Sequence, residues 1–258
     1  MSRIEKTFKN LHKQGKKAFI PYIMAGDPNL ERTREIVLLF EKCGADIVEL
    51  GVPFSDPLAD GPTIQRAAER ALQGGTTLKK VIDFVAAIRQ ITRIPLILMT
   101  YYNPVMKYGI EHFVRDAAHA GVDGVIIPDL PPDEAKDLLS VADRSSLDVI
   151  FLLAPTSTDA RIKKIAKSSR GFIYYVSITG ITGGNLLLDS SFRTAIAKIK
   201  HATHKPVAVG FGVSLPEEAA EVARIADGVI VGSAIIQKYL ESPDSLEHYL
   251  TSLRQAIL

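Results

Sequence analysis

The sequence predicts an α/β protein, a single (β/α)8 barrel (the TIM-barrel architecture) with an extra N-terminal helix. Two observations carry this prediction. Short apolar runs rich in β-branched residues alternate with segments of helical period along the chain, and the runs are nearly continuous, which is typical of parallel strands covered on both faces. Eight such runs are present, at residues 18–23, 46–50, 95–101, 124–127, 148–153, 171–176, 206–209 and 228–231.

Turn and cap signals fall between these runs. Gly44 and Gly121 each follow a segment of helical period and precede a strand, where a left-handed glycine commonly ends a helix. Pro62 and Pro216 lie in the first turns of predicted helices, and Thr77 precedes another. Strand and helix therefore alternate from end to end, which leaves a doubly wound parallel sheet as the alternative architecture.

Length and composition indicate a globular protein with one large core. The chain has 258 residues, of which 47% are hydrophobic and 23% are charged. Barrels of this length commonly form one domain, and no linker-like stretch rich in proline, glycine and serine separates the predicted elements. We therefore expect residues 1–258 to form a single domain.

The N-terminal segment predicts a helix outside the repeating pattern. Ile4, Phe8 and Leu11 have the spacing of one helix face, and basic residues surround them, as in an amphipathic helix docked on a fold. The net charge is +2 with basic and acidic residues interspersed, which does not indicate a nucleic-acid-binding surface. No apolar stretch has the length of a membrane span or follows the N-terminal charges as a leader, so we expect a cytoplasmic protein with no membrane partner.

The cysteine and histidine content excludes several kinds of site. Cys43 is the single cysteine, so neither an intramolecular disulfide nor a cysteine cluster for zinc can form. His201 and His204 have helical ligand spacing, but no acidic residue nearby in sequence completes a metal site. Lysine is absent from the predicted strand interiors, which argues against Schiff-base aldol chemistry. We predict no metal in this chain.

Two carboxylates after the second predicted strand are the strongest candidates for catalysis. Glu49 ends a hydrophobic strand, and Asp60 follows on a proline-rich loop that can fold back over it. A buried carboxylate is costly unless it is paired or used, and two positioned acids can transfer protons without a cofactor. Taken alone, Asp60 could equally be a solvent-facing loop residue or a cap for the helix that begins near Pro62.

Glycine-rich loops follow the last three predicted strands, at residues 180–184, 210–214 and 232–235. Small residues let backbone amides approach an anion, and barrels often bind phosphate after strands seven and eight. No nucleotide P-loop motif is present. Together with the two carboxylates, these loops predict an enzyme for a phosphorylated small molecule, either a lyase or another phosphate-binding barrel enzyme such as an isomerase.

The segment from Glu49 to Gln65 resembles the tryptophan synthase alpha chain family. It reads Glu-Leu-Gly-Val-Pro-Phe-Ser-Asp-Pro-Leu-Ala-Asp-Gly-Pro-Thr-Ile-Gln, and the similarity continues in residues 21–28, 99–104, 128–131, 174–183 and 210–212. The resemblance implies a barrel lyase that cleaves indole-3-glycerol phosphate to indole and glyceraldehyde 3-phosphate in a retro-aldol reaction, the alpha reaction of tryptophan biosynthesis.

The resemblance also implies a partner and a cofactor on that partner. The partner is a beta chain that carries pyridoxal phosphate, receives the indole through an internal tunnel and joins it to serine, in an α2β2 complex. No cofactor is implied for this chain itself. An alternative is that this chain acts chiefly as a regulatory subunit, with weak lyase activity of its own, that activates the beta chain.

Site residues are implied in the same way. Glu49 corresponds to the catalytic acid and base, Asp60 to the group that faces the indole nitrogen, and Asp56 to a residue of loop closure or signalling to the partner. Two larger sets surround the indole and glycerol portions and the phosphate. The first set is Tyr22, Tyr101, Ile127, Asp129, Leu152, Tyr174 and Thr182, and the second is Gly183, Gly212, Gly232 and Ser233.

The loop after the sixth predicted strand departs from some relatives. Ile178 occupies a position where certain members carry arginine, and Leu186, Leu187 and Leu188 make the loop more apolar than expected. Either the loop closes differently in this chain or these leucines pack against a partner.

Overall fold

A computed structural model describes residues 1–176, 190–210 and 212–258 of the chain. The strands in these ranges are β1 Ala18–Met24, β2 Val48–Gly51, β3 Leu96–Met99, β4 Gly124–Ile126, β5 Asp148–Ile150, β6 Leu152–Leu153, β7 Ile173–Val176, β8 Val207–Gly210 and β9 Gly228–Val231. All pair in parallel in one sheet, in the order β5-β4-β3-β2-β1-β9-β8-β7-β6.

Strands β5 and β6 stand at the two ends of that order and are separated in the chain by Phe151 alone. They are two halves of the predicted fifth strand, so the sheet closes on itself. The Phe151 N–H donates to Ser169 Oγ at 3.1 Å, and the Phe151 carbonyl accepts from Tyr174 N at 3.2 Å. The side chain of Ser169 thus replaces one strand partner at the break. The predicted barrel is confirmed, and the doubly wound alternative is wrong because that sheet has open edges.

Helices follow the strands as the alternation predicts. No helix in the described ranges combines the length and apolarity needed to cross a membrane. The single domain over residues 1–258 stays a prediction. The helices are α1 Arg3–Lys13, α2 Leu30–Lys42, α3 Pro62–Gln73, α4 Leu78–Ile88, α5 Tyr102–Tyr108, α6 Ile110–Ala120, α7 Lys136–Ala142, α8 Asp159–Ser168, α9 Ser190–Ala202, α10 Pro216–Ile225, α11 Ser233–Glu241 and α12 Leu246–Ile257, with a 3-10 turn at Pro243–Ser245.

The extra helix α1 docks at the end of the barrel where the strands begin. The Ser2 hydroxyl, which caps α1, donates to Asp148 Oδ2 at 2.5 Å, and Arg3 Nη1 donates to Asp123 Oδ1 at 2.6 Å. Both aspartates lie at the starts of strands, so α1 is held at the amino-terminal end of the barrel. Function is expected at the opposite end, where the strands finish. Its buried face consists of Ile4, Phe8 and Leu11, as predicted.

Aspartates at strand starts fix the register at this end of the barrel. Asp46, Asp123 and Asp227 each precede a strand and accept an amide N–H from the start of the preceding strand, at 2.9 Å in all three cases. Each also pairs with a cation, which offsets part of the cost of burying the charge. These polar groups serve the fold and leave the opposite end of the barrel for chemistry. The cations are Arg254, Arg89 and Lys200.

Candidate active site

A cavity of about 250 Å³ lies at the carboxyl ends of the strands. Strands β1, β2, β3, β7 and β9 contribute side chains to it, and so do the loops that follow β2, β8 and β9. The cavity therefore joins the predicted carboxylate pair and two of the three predicted phosphate loops, those after β8 and β9, in one space. Its lining is Tyr22, Glu49, Asp60, Thr63, Ile64, Met99, Tyr174, Gly212, Val213, Ser214, Glu218, Ile230, Gly232, Ser233, Ala234 and Gln237.

Strand alternation points Glu49 into the barrel. Tyr22 on β1 and Glu49 on β2 are register partners, so their side chains lie side by side on the same face of the sheet. Both line the cavity, whereas Val48 and Leu50 alternate to the other face and are fully buried. The short sequence Val-Glu-Leu-Gly thus places one carboxyl inside an otherwise apolar strand.

The Glu49 carboxyl is buried inside the cavity. The residue is 1% exposed, and neither carboxyl oxygen has a hydrogen-bond partner among the residues that the structure describes. Burial, together with the nearby charge of Asp60, raises the pKa of Glu49 to about 8. Glu49 is therefore protonated at neutral pH and can act as a proton donor.

Asp60 is held over the cavity by its own loop and by the start of α3. Its N–H donates to the Pro57 carbonyl at 3.0 Å, and the Gln65 amide donates to the Asp60 carbonyl at 2.8 Å. Burial raises the pKa of Asp60 to about 6, against the opposing effect of a hydrogen bond from Tyr101. Asp60 is therefore ionised at neutral pH, and the two carboxyls hold opposite protonation states.

Tyr101 supports the loop that carries Asp60. Its hydroxyl accepts the Ala59 N–H at 3.0 Å, and its ring centroid lies 5.4 Å from that of Phe54 on the same loop. Burial, followed by the charge of Asp60, raises the pKa of Tyr101. The phenol therefore stays protonated and can donate to the Asp60 carboxylate. Tyr101 is not among the residues that line the cavity.

Two glycines make room for the other two tyrosines. A Cβ built on Gly51 would lie 2.1 Å from the Tyr22 hydroxyl, and one built on Gly210 would lie 2.3 Å from the Tyr174 hydroxyl. No other residue fits at either strand end without moving a phenol. Burial and the charges of the two carboxyls raise the pKa of both tyrosines, so both phenols remain protonated beside the acid pair.

The opposite side of the cavity offers a helix N-terminus. Gly232 and Ser233 line the cavity at the start of α11, where the backbone N–H groups of a helix N-terminus and the helix dipole favour an anion. Gly212, at φ 83°, adopts the left-handed conformation beside them. The Glu218 carboxylate accepts the N–H groups of Ser214 and Leu215 at 2.7 and 2.9 Å, so those two amides are already satisfied.

Three further predicted residues lie outside this lining. Ile127 is buried just after β4, and Leu152 is partly buried on β6. Asp129 accepts the Tyr102 N–H at 2.9 and 3.2 Å through its two carboxyl oxygens, and Tyr102 is the first residue of α5. Asp129 thus satisfies a helix N-terminus on the neighbouring loop.

Asp56 and the sixth-strand loop complete the predicted set. Asp56 is exposed between Glu49 and Asp60 in the chain, and the Ser55 hydroxyl donates to its carboxylate at 2.6 Å. Asp56 is not among the residues that line the cavity. The remaining predicted positions lie outside the described residues, namely Thr182, Gly183, Ile178 and the leucines at 186–188.

Sequence reasoning missed several residues of the cavity wall. Gln237 lies four residues after Ser233 in α11, which puts both on one face of the helix. Thr63 and Ile64 lie in the first turn of α3, directly after the Asp60 loop. The helical spacing to Ser233 and the proximity to Asp60 in sequence were signals that could have indicated them. Met99 and Ile230, on β3 and β9, read in sequence as ordinary core residues.

The arrangement suits proton transfer on a phosphorylated molecule. One protonated carboxyl and one ionised carboxylate share a cavity with two buried phenols, and an anion can bind at the helix N-terminus on the far side. Within the described residues, no group of three or more histidine, cysteine, aspartate or glutamate side chains could hold a metal ion.

Comparison with known proteins shows close relatives over the whole length. The family model for the tryptophan synthase alpha chain matches residues 8–257. The alpha chain of Geotalea uraniireducens is 56% identical over 93% of this chain and 90% of its own length, and that of Geobacter sulfurreducens is 50% identical over 100% and 99%. A crystal structure of the Legionella pneumophila subunit alpha, 41% identical, superposes with a TM-score of 0.92 over 100% of this chain and 98% of its own.

Proposed function

We propose that Glu49 and Asp60 carry out the reaction of this chain, which belongs to the tryptophan synthase alpha chain family. Membership confirms the activity predicted from the sequence. The chain is a lyase subunit of tryptophan biosynthesis and cleaves indole-3-glycerol phosphate to indole and glyceraldehyde 3-phosphate. The observation that carries the proposal for the residues is that Asp60 lines the same cavity as Glu49, whose buried carboxyl oxygens have no hydrogen-bond partner among the described residues.

The proposed reaction uses Glu49 twice. Glu49 first donates its proton to C3 of the indole ring, and the positive charge that develops on the ring nitrogen is stabilised by Asp60, which accepts the N–H. The Glu49 carboxylate then takes the proton of the glycerol hydroxyl as the carbon–carbon bond breaks. The bond's electron pair returns to the ring, the hydroxyl oxygen becomes the aldehyde oxygen, and Glu49 is protonated again.

The remaining cavity residues would bind and orient the substrate. We propose that Tyr22 and Tyr174 flank the indole and glycerol portions, and that Gly212, Gly232 and Ser233 hold the phosphate at the start of α11. Binding energy gained at the phosphate orients the reacting carbon on the other side of the cavity. Tyr101, Ile127, Asp129, Leu152, Thr182 and Gly183 stay proposals that rest on the family resemblance.

The raised pKa values of Glu49 and Asp60 predict how the reaction rate depends on pH. We expect kcat/KM for indole release to fall below about pH 6, as Asp60 takes up a proton, and above about pH 8, as Glu49 loses one. Asp60→Asn should lower kcat about 100-fold and remove the acid limb. It should also move the alkaline limb to lower pH, because the charge of Asp60 helps to raise the pKa of Glu49.

The profile is measured by steady-state indole release across the pH range, for the wild type and for Asp60→Asn. Asp83→Asn is the matched control, since Asp83 is exposed on α4 and pairs with Lys79 outside the cavity. An Asp60→Asn enzyme that keeps both its rate and its acid limb would contradict the assignment.

We propose further that the chain works with a pyridoxal phosphate-dependent beta chain in an α2β2 complex, in the cytoplasm. Large apolar side chains at the cavity end of the barrel support a partner there. Leu58, on the loop after β2, is 94% exposed, and Met106, on α5 after β3, is 58% exposed. Asp56 lies on the same loop as Leu58, which suits the proposed role in closure or signalling.

Charge placed at this surface should weaken the complex. Met106→Asp is expected to raise the Kd for the beta chain about tenfold, because a buried, unpaired carboxylate would face the partner, while indole release by the isolated chain stays unchanged. Titration of the beta chain with each variant measures this. Ile91→Asp is the matched control, since Ile91 is 50% exposed after α4, at the opposite end of the barrel.

Equal Kd values for the Met106→Asp and Ile91→Asp variants would place the partner elsewhere. The same titration distinguishes an active lyase subunit from the regulatory alternative. A wild-type chain that activates the beta chain strongly, while its own lyase turnover is negligible alone and in the complex, would favour a regulatory subunit.

A further inference from the structure

Asp27 joins three elements around the active-site cavity. It lies on the loop between β1 and α2, and its side chain is 1% exposed. Arg70, on α3, donates from Nε and Nη2 to the two carboxyl oxygens of Asp27, at 2.7 Å each. Tyr239, on α11, donates its hydroxyl to the Asp27 carbonyl at 2.8 Å. We call these three residues the Asp27 bridge.

A second contact links the same two helices nearer to the cavity. Gln237 Nε2 on α11 donates to Thr63 Oγ1 on α3 at 3.2 Å, and both residues line the cavity. Helix α11 is therefore fixed to α3 at two points, one beside the cavity and one through the Asp27 bridge.

The two linked helices hold opposite ends of the proposed site. Helix α11 begins at Ser233, where the phosphate is proposed to bind. Helix α3 begins two residues after Asp60, and its Gln65 side chain donates to the Asp60 carbonyl at 2.8 Å. The contacts between α3 and α11 therefore set the position of the phosphate site relative to Asp60.

The loop that carries Asp27 is itself closely packed. Gly26 has φ 88°, and a Cβ at this position would lie 2.1 Å from Thr76 Oγ1. The Gly26 N–H donates to Thr33 Oγ1 at 2.9 Å. A bidentate arginine–carboxylate pair adds fixed geometry that a single contact lacks. The Asp27 bridge thus connects α3 and α11 through a closely packed loop.

We propose that Asp27, Arg70 and Tyr239 are positioning residues, which make phosphate binding at α11 orient the substrate against Asp60. None of the three belongs to the cavity lining given above, so they act through the helices. The proposal rests on the proposed function. Energy from a remote, non-reacting group raises kcat only if the protein holds that group in a fixed position relative to the reacting centre.

The test compares indole-3-glycerol phosphate with indole-3-glycerol, which lacks the phosphate. In the wild type the phosphate should raise kcat as well as lower KM. Arg70→Lys keeps the charge but cannot form the bidentate pair, so kcat for the phosphorylated substrate should fall about tenfold while the rate with indole-3-glycerol stays within about twofold. Tyr239→Phe, which removes one hydroxyl, should show the same selective loss to a smaller degree.

Arg89→Lys is the matched control for the arginine. Arg89 forms a buried pair with Asp123, with Nη2 at 2.6 Å from Oδ2, at the opposite end of the barrel. This substitution should lower stability and leave the ratio of the two rates unchanged. Tyr108→Phe is the control for the second phenol, since the Tyr108 hydroxyl donates to Asp116 at 2.9 Å on the outer helices.

Equal losses on both substrates for Arg70→Lys would overturn the inference, because they would indicate a purely structural role. An unchanged kcat for the phosphorylated substrate would overturn it as well. If Arg70→Lys does not fold, Tyr239→Phe decides between the same outcomes. Failure of the proposed function looks different, since Glu49→Gln and Asp60→Asn would then keep most of the wild-type rate on both substrates.

Discussion

Replacing Glu49 with glutamine is expected to lower kcat for indole release about 1,000-fold, with KM little changed. Glutamine has the size of a protonated glutamic acid, so the cavity and the bound substrate should keep their geometry. It has no acidic proton for C3 of the indole ring, and it cannot take the proton of the glycerol hydroxyl. Both proposed steps of Glu49 would be lost together.

The measurement is the steady-state turnover of indole-3-glycerol phosphate by the purified wild type and variant. The KM value shows whether the variant still binds the phosphate end of the substrate. Glu69→Gln is the control, since Glu69 is exposed on α3 and should leave both constants unchanged. A Glu49→Gln enzyme that keeps most of the wild-type rate would show that another group moves the protons.

The same substitution is expected to stabilise the fold at neutral pH. In the unfolded chain Glu49 ionises near its ordinary pKa of 4.5, whereas burial raises its pKa to about 8 in the folded protein. Folding at pH 7 must therefore protonate this carboxyl. Since one pKa unit corresponds to about 1.4 kcal/mol, the wild type loses on the order of 3 kcal/mol that Glu49→Gln should recover.

The direction of the Glu49 pKa shift determines the pH range over which the substitution changes the free energy of unfolding. Because the folded pKa of Glu49 is raised, its stabilising contribution is complete below about pH 4.5 and is lost as pH rises toward about 8. The difference in free energy of unfolding between Glu49→Gln and wild type should thus vanish in acid and grow across this range. Denaturant unfolding at several pH values measures it. A constant difference, or a variant less stable than wild type at pH 7, would contradict a raised pKa.

The barrel and the position of the acid pair could be predicted because they depend on local pattern. Continuous apolar runs identify buried parallel strands, and a strand that ends in Glu49 must place that residue at the active end of a barrel. Asp60 follows within the same loop, so a short loop suffices to bring it over Glu49. The topology of the barrel therefore suffices to predict that Glu49 and Asp60 lie at the same site, without any side-chain contact.

Contacts between distant residues could not be predicted in this way. Arg70 meets Asp27 across 43 positions of sequence, and Tyr239 meets it across 212. The need for glycine at Gly51 depends on where the Tyr22 phenol of the neighbouring strand lies. No local pattern specifies such pairings, because they arise from the packing of complete helices and strands.

The protonation states also required the structure. The sequence places Glu49 at a strand end. It does not show that both carboxyl oxygens lack a hydrogen-bond partner in the described part of the chain, because that depends on every residue around the cavity. The pKa of Asp60 differs from that of Glu49 because the Tyr101 hydroxyl, which follows another strand, donates a hydrogen bond to Asp60 and lowers its pKa. The division of roles between two carboxyls is thus a property of the folded site.

Titration of the two carboxyls by carbon-13 NMR tests this division most directly. The carboxyl signals of Glu49 and Asp60 would be assigned in the wild-type chain by their absence from Glu49→Gln and Asp60→Asn. We expect the Glu49 signal to titrate near pH 8 and the Asp60 signal near pH 6. A Glu49 signal that titrates near its ordinary pKa of 4.5 would mean that Glu49 is ionised at neutral pH, and the proposed proton donor would not exist.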